Sequence, residues 1–546
     1  MWDQPTESLP GEAKNVFSNG NSEEIVFWSA QLLRAMTTLT RPFSEWIFDA
    51  IYTLFMGPTR VLPPITDNIL LLSAVELTEK IRKKQITCEE VMKAYIKRVQ
   101  EVEPFINSCV DQRFEEALKE AEVSDIIIAS GKTEEELAKE LPLLGVPFSC
   151  KEAVGVTGLS QTSGLAWAAE RKCERDSEVV ALYRRAGAIP LVVTNVPEMC
   201  MWWESANIAF GRTKNPYDHK RTAGGSSGGE GAILAAAGTP IGIGNDIAGS
   251  IRIPASFCGI YGHKPSQGLI SNEGRWPPVG EEYGQFLSTG PMCRYVEDLP
   301  LLTKILSGDR LHRMRTEEKV DFRKVKIFYM EEFPGILLSA TSEIKTAVKN
   351  AATHFETEYG VQAVRLNVPE LALAFYMWEC KLLEADGPSF KSILRRSEEN
   401  KEVNLFWEFC KSLIHTSDHT WPALFFATID RREKDKFYYK CLEMYKILER
   451  KLNEALQGDS ILLVPTHPDP PPHHLMTIPK YWNIAYTCIF NILGFPSTQI
   501  PAGMSHGLPI GIQAIGRQYQ DHLTLAVAVE LDKVFRGWIC PCPINV

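Results

Sequence analysis

Residues 222–265, TAGGSSGGEGAILAAAGTPIGIGNDIAGSIRIPASFCGIYGHKP, crowd serine and glycine together as no other segment of the chain does. A serine alcohol becomes a nucleophile once a base takes its proton, and glycine lets backbone amides come close to a ligand. Bond-breaking chemistry is therefore sought first in this block. A flexible linker would lack the apolar run Ala232 to Ala237 and the strand-like Ile241-Gly242-Ile243, so the segment is expected to pack inside the fold. A phosphate loop needs Gly-Lys-Ser or Gly-Lys-Thr at a helix start, and a dinucleotide turn needs spaced glycines between strand and helix with an acid downstream; neither pattern is present. Gly224-Gly225-Ser226-Ser227-Gly228 spells a Gly-x-Ser-x-Gly elbow, but Asn215 to Thr222 is too polar for the strand that must lead into one.

Metal chemistry finds little support. Cys540 and Cys542, in the run Cys-Pro-Cys-Pro, lack the second pair that a tetrahedral zinc site requires. His467, Asp469, His473 and His474 are threaded with prolines and offer no helical pair of imidazoles four residues apart. Neither a metal nor an organic cofactor is expected.

Taken with the upstream Gly145-Val146-Pro147-Phe148-Ser149-Cys150-Lys151-Glu152, the serine-glycine block resembles the amidase signature family. Gly224-Gly225-Ser226-Ser227-Gly228-Gly229 precedes Asp246 and Ser250-Ile251-Arg252, and the separations of Lys151, Ser226 and Ser250 fit the family. The likeness runs from about Leu71 to Pro541, through Thr194-Asn195-Val196-Pro197-Glu198, Gly262-His263-Lys264-Pro265 and Gly507-Leu508-Pro509-Ile510-Gly511. Within the family it is similar to the fatty-acid amide hydrolases, particularly the type-2 form, at Glu230-Gly231, at Cys200-Met201-Trp202-Trp203-Glu204-Ser205, at Ser288 to Arg294 and at Asp521 to Ala526.

The resemblance implies an α/β fold, a large mixed twisted sheet covered by helices on both faces. It implies that Ser250 attacks an amide carbonyl, that Ser226 relays the proton, and that Lys151 is the base and then, through Ser226, the acid. The amides of Ile247, Ala248, Gly249 and Ser250 would form the oxyanion hole, Cys200 would touch substrate, and Ser227, Asp246 and Arg252 would support the site. The Gly225-Ser226 peptide is expected to be cis, as in the family. Asp246 and Arg252 are candidates for a pair, which a plain structural salt bridge would explain as well. A lysine works as a base only when neutral, so burial must lower its pKa by ~3 units from about 10.4. The apolar run Leu143 to Phe148 ahead of Lys151 suits such burial. Ala248 and Asn245 stand where the family usually has Gly and Thr or Ser, and a Cβ at Ala248 is costly if that residue needs positive φ.

The expected substrate is a long-chain amide, with Met201, Trp202 and Trp203 as candidates to line an acyl channel. The departures keep open a weak or silent lipid-binding homologue, and a small-amide amidase is the other alternative. An amidotransferase subunit acting on charged tRNA fits less well, because the chain is acidic.

The elements that must hold these residues follow from the rest of the sequence. The 546 residues are 45% hydrophobic and 23% charged, which allows a sizeable core. A net charge of −10 argues against nucleic acid as a partner. Thirteen unpatterned cysteines suit a reducing, intracellular compartment. Residues 1–22 read as a polar tail without the marks of a signal or transit peptide. Residues 23–60 repeat apolar side chains at helical spacing, as two amphipathic helices parted near Pro42 that are expected to lie on a membrane surface; Arg34, Arg41, Glu45 and Asp49 keep the run too short to span one. Residues 61–546 are expected to form a single catalytic domain, and a homodimer remains open. Ser73 to Val102 reads as one charged amphipathic helix, Leu143 to Pro265 as the α/β core, and 320–460 as more helical. Leu405-Phe406-Trp407 and Trp421 to Phe426, with Arg431, Arg432 and Lys434 nearby, suit either a lipid surface or a buried helix pair. Ile484 to Gly516 is broken by glycine and proline into strand-length pieces.

Overall fold

The computed structural model describes residues 21–278, 280–315, 319–335, 339–385, 390–395, 402–429 and 434–546. The expected polar tail at 1–22 lies almost wholly outside this set, as do Arg431 and Arg432.

The strands are β1 (Cys109–Gln112), β2 (Pro147–Lys151), β3 (Ile189–Thr194), β4 (Ala206–Asn207), β5 (Gly211–Arg212), β6 (Ile241–Asp246), β7 (Tyr261–Lys264), β8 (Ser288–Cys293), β9 (Lys326–Tyr329), β10 (Ala363–Arg365), β11 (Ser460–Pro465), β12 (Ser497–Ser505) and β13 (Leu508–Ile515). All but β4 and β5 join one 11-stranded sheet in the order β1-β3-β2-β6-β8-β7-β12-β13-β11-β9-β10. The sheet is mixed: β3-β2-β6 and β11-β9-β10 pair in parallel, and the remaining neighbours are antiparallel. Every residue of β2, β3, β6 and β11 is buried, because helices cover the sheet and leave these strands no wet face. That is why β3 and β11 read as near-continuous apolar runs instead of alternating ones. The expected mixed α/β architecture is present.

Three local expectations change. Ser73 to Val102 is two helices, Ala74–Arg82 and Cys88–Ile106, because Ser73 and Thr87 each cap a helix start with a reciprocal glutamate bond. Leu77, Ile81, Val91, Tyr95 and Val99 all face inward as expected. Ile484 to Gly516 opens with a helix, Ala485–Ile492, before β12 and β13; its residues are buried all round, and a short wholly apolar run cannot be told from a strand by periodicity.

The third change is at Pro42, which lies inside one continuous helix, Asn21–Met56. Proline removes one helical bond, but contacts on both sides of it hold the helix to a single surface. Arg34 pairs with Glu332 at 2.8 Å, Arg41 with Asp469 at 3.3 Å, Glu45 with Arg221 at 3.2 Å and Asp49 with Lys220 at 2.8 Å. The helix thus docks by its polar stripe and turns Leu39, Phe43, Trp46, Leu54 and Phe55, each at least 63% exposed, away from the body. That is the reverse of an ordinary surface helix. Among the described residues no helix is long and apolar enough to cross a membrane.

Buried arginines staple the layers. Arg98, wholly buried on Cys88–Ile106, donates to Ala236 O at 2.9 Å, Pro63 O at 2.8 Å and Cys542 Sγ at 3.2 Å. Arg98→Ala would strand these acceptors away from water, so it should cost about 3 kcal/mol of stability, read as a lower urea midpoint. An unchanged midpoint would show that the contacts carry nothing.

Candidate active site

Lys151 is the last residue of β2, and the parallel register Cys150↔Ile243 sets it beside Gly244 and Asn245 at the same end of β6. Ser226 sits in the turn that opens the helix Gly228–Ala235, and Ser250 in the turn between β6 and the helix Arg252–Phe257. The sheet therefore gathers three sequence-distant residues at one edge of two neighbouring parallel strands. Lys151 Nζ donates to Ser226 Oγ at 2.7 Å and also to Asn245 Oδ1. Gly225-Ser226 is a cis peptide, as expected.

Lys151 is wholly buried, and burial lowers its pKa from 10.5 to about 8; Cys200 opposes the shift and the nearby Arg275 charge adds to it. Glu230, also buried, is pushed up to about 8 by desolvation, against hydrogen bonds from Ser149 and Thr194 at 2.7 Å each. Its carboxyl locks β2, β3 and the helix Gly228–Ala235 together, and Gly242 must be glycine because a Cβ there would lie 1.9 Å from Glu230 Oε2.

The turn after β6 is built on Asp246. Burial alone would raise its pKa, but the Arg252 guanidinium holds it far below the carboxylate range through bonds of 3.0 Å to each oxygen. Arg252 in turn reaches Gln513 Oε1 at 3.0 Å and Asn491 Oδ1 at 2.7 Å. Asp246 accepts from Gly249 N at 2.7 Å and Ile251 N at 3.1 Å, which folds the turn around it. Gly249 N is thereby occupied, whereas among the described residues nothing accepts from the amides of Ile247, Ala248 and Ser250. Three of the four expected oxyanion donors are thus available. The positive φ of the turn, +124°, falls at Gly249, where a Cβ would lie 2.2 Å from Thr487 Oγ1. Ala248 takes no positive φ, so its methyl carries no backbone strain. Ser227 N donates to Ser250 O at 3.1 Å and its Oγ to Asn245 O at 3.4 Å, tying the two serine turns together.

Ser250 opens into a pocket of about 520 Å³, its mouth included. It is lined by Ile247, Ala248 and Gly249 of the Ser250 turn, by Cys200, Met201, Trp202 and Trp203, and by Phe375, Trp378, Phe426 and Tyr481. Met199 and Cys200 both adopt left-handed φ, 56° and 58°, which turns the segment toward the pocket. Apart from Ser250 and the backbone, the lining is apolar or aromatic.

Sequence reasoning placed Lys151, Ser226, Ser227, Ser250, Asp246, Arg252 and Cys200 around this site, and the fold brings them together. It missed Asn245 as a lysine partner, because the residue stood out only as a departure from the family. It also missed Thr487, which donates to Ala248 O at 2.6 Å, and Trp378, whose Nε1 donates to Ile247 O at 3.0 Å; no local motif marks either. The proline-threaded histidines point different ways: His467 packs between Trp203 and Phe257, His473 stacks on Tyr52, and His474 bonds Glu204.

The amidase family profile matches residues 90–525. Fatty-acid amide hydrolase 2-A of Danio rerio is 42% identical over 506 residues, 90% of this chain and 95% of its own length. Fatty-acid amide hydrolase 2 of Homo sapiens is 39% identical over 488 residues, 88% and 92% of the two chains. Among solved structures a fatty acid amide hydrolase superposes with a TM-score of 0.69 at 23% identity, covering 90% of this chain and 89% of that one, a likeness of fold. With a family match over most of its length and such relatives on both sides of the two serine turns, this chain belongs to the amidase signature family and is an amidase.

Proposed function

We propose that the chain hydrolyses long-chain fatty-acid amides to a fatty acid and an amine or ammonia through Lys151, Ser226 and Ser250. The observation that carries this reading is a wholly buried lysine, 2.7 Å from Ser226 Oγ, in a fold that sets Gly225 and Ser250 on the lining of an apolar pocket. Neutral Lys151 draws the Ser226 proton as Ser226 takes that of Ser250, and Ser250 Oγ bonds to the carbonyl carbon. The oxyanion turns toward the free amides of Ile247, Ala248 and Ser250. As the C–N bond breaks, the proton returns through Ser226 to the leaving nitrogen. Water, deprotonated along the same path, then frees the acyl group from Ser250.

The aromatic walls favour an acyl chain over a small amide. Phe425 and Phe426 come from the helix Trp421–Ile429, whose neighbour Leu405–Leu413 exposes Phe406, Trp407 and Leu413. Together with the outward apolar stripe of Asn21–Met56, these side chains support residence on a membrane surface. Nothing in the site favours the silent lipid-binding alternative, since Asn245 engages the lysine and Ala248 is unstrained.

Ser250→Ala should abolish both oleamide hydrolysis and labelling by a fluorophosphonate probe; a variant as fast as the parent would end the assignment. Only the neutral amine is a base, so kcat/KM for oleamide should rise with pH through a midpoint near 8. Lys151→Ala should lose about 10³-fold in kcat and that pH limb with it; a flat parent profile would remove lysine from the reaction. Replacing Leu39, Phe43, Leu54 and Phe55 by serine should lower co-flotation with phosphatidylserine-containing vesicles by at least ~10-fold, given ~1.5–3 kcal/mol for each buried side chain. Equal flotation would sink the membrane role of that helix, and lipid-free dimers lost in the variant would assign its outer face to a second copy.

A further inference from the structure

The run Cys540-Pro541-Cys542 takes no part in the amidase site, yet the fold prepares it for chemistry of its own. The two sulfurs lie 3.5 Å apart, within hydrogen-bond reach, and Arg98 Nη2 donates to Cys542 Sγ at 3.2 Å. Arg98 and Cys542 are buried, while Cys540 is half-buried and open to solvent. The segment is held in place from both sides: Ile65 N donates to Pro543 O at 2.9 Å, Asn545 N donates to Ile65 O at 2.8 Å, and Trp538 Nε1 donates to Ala235 O at 3.1 Å. These bonds fix the backbone on both sides of the two cysteines. A thiol on one side and a guanidinium on the other stabilise negative charge on Cys542. The hydrogen bond from Cys540, with Arg98 behind it, lowers the Cys542 thiol against the effect of burial, and the same bond pushes Cys540 up. A thiol held partly ionised beside a second, solvent-open thiol is the arrangement that thiol–disulfide exchange requires.

We propose that Cys540 and Cys542 form a redox-active dithiol that exchanges with small disulfides of the glutathione type. The Cys542 thiolate attacks one sulfur of the small disulfide, whose S–S bond breaks and releases one thiolate. Cys540, its proton passed to solvent, then attacks Cys542 Sγ, closing the Cys540–Cys542 bond and expelling the second small thiolate. Two protein thiols are oxidised and one small disulfide is reduced to two thiols. Closure takes the thiolate away from Arg98, and with it one of the contacts that fasten the chain end to the helix Cys88–Ile106.

The test treats the folded, full-length protein at pH 7 with excess glutathione disulfide, quenches with acid, alkylates, and maps the peptide spanning 540–542 by mass spectrometry. The expected result is an internal disulfide in that peptide, reversed by reduced glutathione, while Cys150, Cys258 and Cys293 in the core stay alkylatable only after unfolding. Cys540→Ser, which leaves Arg98 intact, should stop at a glutathione adduct on Cys542, and Arg98→Gln should slow the first attack, by Cys542, several-fold. The proposal is overturned if both thiols still alkylate after the disulfide treatment, or if Cys540→Ser collects no adduct.

Discussion

The Lys151 amine lies where water is excluded, and the middle of the sheet is arranged around keeping it there. In water its proton would stay bound to a pH above 10; here burial brings that limit to about 8, a change of about 3 kcal/mol in favour of the neutral form. Three facts maintain the dryness. β2 is buried at every residue, the neighbouring strands β3 and β6 are equally covered, and Glu230, itself pushed toward its neutral form, accepts from Ser149 of β2 and Thr194 of β3. Among the described residues the amine's hydrogen-bond partners are Asn245 and the Ser226 hydroxyl.

A second constraint shapes the turn that carries Ser250. Asp246 and Arg252 are both wholly buried, a costly arrangement unless each oxygen and nitrogen is satisfied. Gln513 from β13, Asn491 from the helix Ala485–Ile492 and the turn's own amides complete that satisfaction. The pair is thereby more than a salt bridge: it ties the turn that carries Ser250 to β13 and to the helix Ala485–Ile492. One consequence is that Gly249 N is committed to Asp246, while among the described residues nothing accepts from the amides of Ile247, Ala248 and Ser250.

The pocket and the outer surface are continuous in material. Phe426 lines the pocket from a helix whose neighbour carries exposed Phe406 and Trp407, and the long first helix shows its apolar side outward because its charges are used for docking. An amphipathic pattern says that a helix has two faces, not which one meets the body. Here the ion pairs to Lys220, Arg221, Glu332 and Asp469 decide the matter in favour of the polar face.

What the sequence by itself determined was the family and the class of fold. The crowded glycines and serines, Lys151 after an apolar run, and buried strands such as Ile189 to Val193 were legible because each is a local pattern with a local physical cause. The substitutions at Ala248 and Asn245 were legible too, but not their meaning. Only the tertiary structure decided that the positive φ belongs to Gly249, that Asn245 is a lysine ligand, and that Thr487, Asn491, Gln513 and Trp378 hold the turn from elements hundreds of residues away. Register between β2 and β6 and the packing of helices on the sheet create those contacts, and neither leaves a periodicity in the chain. The breaks at Lys83 to Thr87, the helix at Ala485–Ile492 and the unbroken passage through Pro42 escaped for the same reason: competing local preferences there were settled by what the segment packs against.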